Sequence, residues 1–209
     1  MTRGLDGVRE SHFPAPQRIS IQGISGSGKT TLGRLLELQL GMPHLETDAL
    51  VHGPGWTETP DDELHALVEP LVLSERWVID SDYRRKLGTL VLQHADTVVW
   101  LDLPLGVCLR RLWNRTHHRI TGHEELWNGN TETWQDLFSV RHSLFGWAIR
   151  DHFSTRRSLP ELLARPELAH LRLVRLRSAD EVGRWAAHIE AETDDPGDEG
   201  AQGRAPERS

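Results

Sequence analysis

Cysteine occurs once in this sequence, at position 108, so no internal disulfide can form and a disulfide-stapled secreted scaffold is excluded. The N-terminal stretch holds no apolar h-region of the kind that marks a secretory signal. No apolar run approaches the roughly 20 residues that a bilayer-crossing helix needs, and no motif recurs at a fixed period. Basic charge is also scarce: 24 Lys and Arg against 31 Asp and Glu leave a net charge of -7. Such a chain has no global attraction for polyphosphate or an anionic membrane, so any positive site must be assembled by folding. The expectation is a cytoplasmic protein with no membrane partner, monomeric or homodimeric.

The 209 residues suffice for one sizeable core, since domains run to about 100 to 200 residues. Residues 1–17 lack periodicity and residues 192–209 are rich in Asp, Glu, Gly and Pro; both read as disordered tails around one domain over 18–191. Ile19 and Ile21 alternate with polar neighbours and run into Gly23, after which Leu32, Leu35, Leu36 and Leu40 recur at helical spacing until Gly41. That is a strand, a glycine loop and a helix. An extended stretch over His44 to Asp48 follows, then a helix with Thr59 as N-cap and Pro60 at its first position, carrying Leu64, Leu67, Val68 and Leu71.

Trp77 to Ile79 and Thr97 to Leu101 are continuous apolar strands ending at Asp80 and Asp102, the mark of a sheet covered on both faces. Leu105, Cys108, Leu109, Leu112 and Trp113 form an amphipathic stripe, with Arg110, Arg111 and Arg115 off it. Residues 116–130 are polar and read as a flexible insert before helical spacing resumes through Trp134, Phe138, Arg141, Phe145 and Ile149. Leu171, Leu173 and Leu176 make a last strand, and Ser178 with Glu181 forms a capping box for the final helix. Five strands alternating with helices give the α/β class.

Gly23-Ile24-Ser25-Gly26-Ser27-Gly28-Lys29-Thr30 fits G-x-x-x-x-G-K-[ST] between a strand and a helix, the context the motif requires. Glycines let backbone N–H groups turn around phosphate oxygens, the helix N-terminus adds positive dipole, Lys29 reaches the β- and γ-phosphates and Thr30 ligates Mg2+. Gly23, Ser25, Gly26, Ser27, Gly28, Lys29, Thr30 and Thr31 are the expected ATP contacts. The motif identifies a ligand and leaves the reaction open.

Asp48 and Asp80 end the second and third strands, where open α/β sheets gather ligands. One carboxylate holding Mg2+ and one orienting an acceptor hydroxyl is the division that phosphoryl transfer needs; a turn or cap role competes for each. Arg84, Arg111, Arg115, Arg119 and Arg141 follow strand ends or flank the insert, where fixed positive charge would meet transferring phosphate, against the alternative of a solvated helix face. His117, His118 and His123 lack the companions of a zinc site. Trp56 and Trp127 lie in glycine-bearing loops and could stack on a ring, or pack the loops.

The segments GISGSGKT, TDAL followed by PGW, RWVIDSDY, VVWLDLP with CLRR after it, and ELWNGN together resemble the adenylate kinase-like branch of P-loop proteins, and most closely the small bacterial proteins labelled DNA topology modulation proteins. The resemblance spans about residues 18–190. It implies a three-layer P-loop fold with a five-stranded parallel sheet, a substrate-binding region over about 48–75 and a helical lid insert over about 114–133. It also implies roles at the ATP phosphates and Mg2+ for Lys29, Thr30 and Asp80, ATP contacts from Arg111, Arg115 and Arg119, and Arg84 on the acceptor. Joined to the reading of the strand ends and loops, this gives Lys29, Asp48, Asp80 and Arg115 as expected catalytic residues, Thr30 and Asp80 as expected Mg2+ ligands, and Asp48, Trp56 and Arg84 as the expected acceptor site.

Two departures bear on the acceptor. Ala49-Leu50-Val51 follows Asp48 with no arginine soon after, where adenylate kinases hold AMP, and Asp80-Ser81-Asp82-Tyr83-Arg84 replaces D-G-F-P-R and adds a carboxylate. Both favour a hydroxylated, less charged acceptor over a nucleotide. Nothing resembles a helix-turn-helix or an extended basic groove, so no nucleic-acid partner is expected. The leading expectation is a kinase using ATP and Mg2+ on a small acceptor. The alternatives are an ATP-gated binding or regulatory protein with weak ATPase activity, and a kinase acting on polynucleotide ends.

Overall fold

In the computed structural model of the chain, residues 15–81, 83–134 and 143–194 are described. Asp82, Phe138 and Arg141, together with most of both expected tails, lie outside them. Five parallel strands, β1 (Arg18–Gln22), β2 (His44–Glu46), β3 (Trp77–Asp80), β4 (Thr97–Leu101) and β5 (Arg172–Leu176), form one sheet in the order β2-β3-β1-β4-β5. The expected three-layer α/β architecture is present. Each parallel pairing requires a crossover, and the helices supply the two covering layers.

On one face, α1 (Lys29–Leu40) and the C-terminal α8 (Ala179–Asp194) bury Leu32, Leu36, Leu40, Trp185 and Ile189 against Ile19, Ile21, Val78 and Val99. Leu36 and Ile189 are fully buried, each contributing about 1.5–3 kcal/mol relative to exposure. On the other face, α3 (Asp61–Val72), α4 (Arg84–Leu87) and α5 (Leu90–His94) cover Trp77 and Ile79 with Leu64, Val68, Val72, Leu87 and Val91. Consecutive residues of β3 thus serve opposite cores, as the two-residue period of a strand demands. The long α7 (Leu144–Leu163) closes the sheet beside β4, burying Leu162 against Val98. Asp102, just past β4 and 5% exposed, ties it there by accepting from Arg156 of α7 at 2.7 Å and from Arg175 of β5.

Three local expectations are corrected. β2 stops at Glu46, because the Thr47 amide donates to Asp80 Oδ1 instead of extending the ladder. Asp48 consequently lies in the first turn of a short helix, α2 (Thr47–Val51), and not at a strand end. Helix α3 has Pro60 itself as N-cap, since the Thr59 hydroxyl is spent on Leu50 O at 2.6 Å; it buries Val72 in place of the half-exposed Leu67 and Leu71. Finally, α6 (Leu105–Gly122) continues through the polar stretch to its left-handed cap at His123. Beyond Thr116 the helix leaves the body of the domain, so its residues need not be apolar and the stripe fades without the helix ending.

The last capping box holds with a shift: Ser178 Oγ accepts from Glu181 N, and the Glu181 carboxylate accepts from Arg177 N. Among the described residues, no helix is long and apolar enough to cross a membrane.

Candidate active site

The loop between β1 and α1 closes on itself where Ser27 N donates to Ile24 O at 3.1 Å. Gly26 has φ +79°, and a Cβ there would lie 2.3 Å from Cys108 O, so only glycine lets the loop lie against α6. Gly28, at φ +101°, caps α1 without a side-chain acceptor. The first-turn N–H groups are therefore not consumed by a cap, the condition for an anion cradle. Ser27 Oγ is buried with no protein partner. Lys29 Nζ donates to Gly23 O at 2.9 Å, holding the ammonium over the loop. Ser25 is half-buried in the loop, whereas Thr31 is exposed on the first turn of α1.

Parallel pairing sets Glu46 of β2 opposite Asp80 of β3, and both carboxylates meet the P-loop threonine. Thr30 Oγ1 donates to Asp80 Oδ2 at 2.7 Å and lies 3.4 Å from Glu46 Oε1. A hydroxyl with two nearby carboxylates is an all-oxygen donor set, which suits Mg2+, an ion that keeps several waters and takes few protein ligands beside phosphate oxygens. No group of three His, Cys, Asp or Glu side chains that could hold a metal ion occurs among the described residues. Glu46 escaped the sequence reading; the available signal was its place at the end of a strand, two residues before Asp48.

The second carboxylate is held differently. Asp48 Oδ1 accepts from the Tyr83 hydroxyl, and His52 Nε2 lies 3.3 Å from the same phenol oxygen. Burial and the adjacent Asp48 carboxylate push the Tyr83 phenol far above its ordinary range, so it remains a donor. Neither Tyr83 nor His52 was singled out in the sequence. Arg84 opens α4 directly after Tyr83.

Of the arginines on α6, Arg111 reaches the P-loop, donating to Ser27 O at 3.3 Å. Arg115 has an accessible surface, yet crowding by the walls around it and, after that, the positive Arg119 hold its guanidinium below the usual range. Arg119 pairs with Glu132 at 2.9 Å, bracing the return of the insert. The insert itself packs onto the segment after α2. Asn130 Oδ1 accepts from Trp56 N at 3.0 Å, Asn130 Nδ2 donates to Gly53 O at 2.9 Å, and Asn128 Nδ2 donates to His52 O at 2.6 Å. Trp127 stacks on His52 at 6.2 Å, while Trp56 meets the same ring edge-on at 5.5 Å. The two tryptophans lock loops together.

No family model matches the chain. Over 107 residues it is 32% identical to the shikimate kinase of Synechococcus elongatus, a match taking in 43% of this chain and 54% of that protein. It is 28% identical over 156 residues to an uncharacterised Bacillus subtilis protein, YqaC, covering 70% of this chain and 86% of the relative. The chain thus spans about half the length of the first curated relatives it matches. Among solved structures, shikimate kinase from Acinetobacter baumannii in complex with shikimate superposes with a TM-score of 0.51 at 16% identity, covering 83% of this chain and 90% of that one.

The chain shares the fold of that shikimate kinase structure. Within that fold, the glycine loop runs from β1 into α1, and the carboxyl ends of β2 and β3 carry Glu46 and Asp80 beside Thr30. Open parallel sheets place ligands at this end.

Proposed function

We propose that this chain is an ATP-dependent phosphotransferase that moves the γ-phosphoryl group of ATP to a hydroxyl of a small, weakly charged acceptor. The observation that carries the reading is a pair of separately held carboxylates: Asp80 on Thr30 of the glycine loop, and Asp48, two residues past the end of β2, on Tyr83. Lys29 and Arg111 would bind phosphate oxygens, with Arg115 and Arg119 toward the lid; Thr30 and Asp80, with Glu46 nearby, would hold Mg2+. The bound cation supplies charge neutralisation at the β- and γ-phosphates. Asp48 would accept the proton of the acceptor hydroxyl as its oxygen bonds to the γ-phosphorus and the bond to the ADP oxygen breaks. Residues 48–75, including Asp48 and Trp56, together with Arg84 would form the acceptor side, and residues 114–133 the lid that excludes water.

Support for a hydroxyl acceptor comes from the shikimate kinases among the relatives and from the lack of an arginine soon after Asp48. The likeness to DNA topology modulation proteins adds a label for a cellular effect, and DNA binding is no part of this reading. Purified protein with ATP and Mg2+ should be assayed against nucleosides, nucleotides, sugars and hydroxylated metabolites including shikimate, with Lys29→Ala as the blank. Lys29-dependent ADP formation stimulated by one acceptor class is the expected result. Tight ATP binding with no stimulation would overturn it and favour an ATP-gated binding protein. That second reading draws on the interlocked loops at Trp56 and Trp127, which would form the surface offered to a partner.

A further inference from the structure

Tyr83 stands out on two independent grounds. Its backbone has φ +41°, a left-handed conformation that a bulky residue seldom adopts, and such outliers persist where surrounding structure enforces them. Its side chain is packed beside the core under α3 and α4, yet its hydroxyl is aimed at a carboxylate of the candidate site. The phenol proton goes to Asp48 Oδ1, which leaves the phenol oxygen as an acceptor facing His52 Nε2. The imidazole completes the chain by donating from Nε2. His52 is in turn gripped by the insert: its carbonyl accepts from Asn128 and its ring lies on Trp127.

We propose that Tyr83 is a positioning residue for phosphoryl transfer, fixing one oxygen of Asp48 so that the other is presented to the acceptor hydroxyl, with His52 relaying the seating of the insert to the phenol. The role rests on the phosphotransferase reading above and adds no covalent step. It gives the insert a chemical consequence: when the Trp127 loop is seated, the base is oriented; when it lifts, His52 loses its stacking partner and Asp48 loses its fixed rotamer. An aspartate free to swing spends part of its time out of line with the acceptor, and small misplacements of a reacting group are costly in rate.

Tyr83 is the only tyrosine in the chain, so 3-fluorotyrosine incorporated into the full-length protein gives a single fluorine probe at this phenol. Fluorine NMR of the protein should show the phenol ionising at clearly higher pH than free 3-fluorotyrosine. Asp48→Asn should lower that midpoint by about one unit or more, the effect of one lost neighbouring charge, and Trp127→Ala should move the resonance at neutral pH. A midpoint equal to that of the free amino acid, or one indifferent to Asp48→Asn, overturns the contact; a resonance untouched by Trp127→Ala overturns the relay.

Tyr83→Phe keeps the ring and removes only the donor. Its Lys29-dependent ADP formation from ATP and Mg2+, measured with the acceptor of the panel above that stimulates the wild type, should fall about ten-fold or more with the KM for ATP unchanged, and Asp48→Asn added to it should cost little further, as for residues acting as one unit. A raised KM at constant kcat, or losses that multiply, overturns positioning. If no acceptor of that panel stimulates Lys29-dependent ADP formation by the wild type, the phosphotransferase reading fails and the role fails with it, while the fluorine titration still reports the contact by itself.

Discussion

The hydroxyl of Thr30 donates to Asp80 Oδ2 at 2.7 Å, joining the last residue of the P-loop motif to the last residue of β3. Asp80 is 3% exposed and its other oxygen takes the Thr47 amide, so the carboxylate is anchored from two elements. Asp80→Asn preserves shape and weakens both the charge and its hydrogen bonds. The expected outcome is a roughly ten-fold or larger rise in the Mg2+ concentration needed for half-maximal ATP turnover, the scale typical of altered groups around a metal. Asp48→Asn should instead lower turnover more than ATP affinity. Equal, mild effects from both would leave the two carboxylates with structural roles only.

Gly33 of α1 has no unusual backbone, but a Cβ there would fall 2.2 Å from His44 Nε2, and the His44 side chain is 4% exposed against Asp80. Gly33→Ala should therefore destabilise by about 1–3 kcal/mol through overpacking, despite the better helix propensity of alanine. Adding His44→Ala should recover part of the loss, giving a non-additive cycle in denaturant unfolding. Strict additivity would contradict the steric account.

Asn130 is 4% exposed and bridges the insert to the segment after α2 with both ends of its amide. Replacing it by Ala removes two hydrogen bonds to part-buried backbone groups, Trp56 N–H and Gly53 C=O, at about 0.5–1.5 kcal/mol each. Because the bridge joins two loops, the loss should appear locally: hydrogen exchange at the Trp56 amide should accelerate while strands β1 and β4 keep their protection. Unchanged protection at Trp56 would refute the latch.

His152 of α7 is 5% exposed, and burial first, then the neighbouring Arg156, hold its imidazole below the ordinary range. The unfolded chain takes up this proton near pH 6.5, whereas the folded protein resists it until lower pH. The stability that the neutral ring preserves is thus full above about pH 6.5 and is lost progressively as pH falls from there toward the folded-state value. His152→Leu should flatten the dependence of thermal stability on pH over that window. A slope identical to wild type would show that the ring is not the group responsible.

Much of this molecule was legible along the chain. The cradle from Gly23 to Thr30 is a contiguous motif whose strand and helix are local, and Asp80 stood out because the apolar run of β3 ends on it. Asp48 was found for a reason the structure corrects, since it is a helix residue. Tyr83, His52 and Glu46 were passed over: Tyr83 lies 35 positions from Asp48, and no spacing rule links residues brought together by crossover connections. Arg119 drew attention by its charge, and its observed partner is Glu132.

The sequence by itself determined the α/β class, the five strands and the glycine loop between β1 and α1, because alternation, helical spacing and glycine placement act over a few neighbouring residues. Only the tertiary structure decided the strand order, the placing of Glu46 beside Thr30, the phenol on Asp48 and the seating of the Trp127 loop on His52. Those contacts depend on which strands pair and where each helix crosses the sheet, and that choice is made by burying both faces of the sheet at once, a requirement no local stretch of sequence can express.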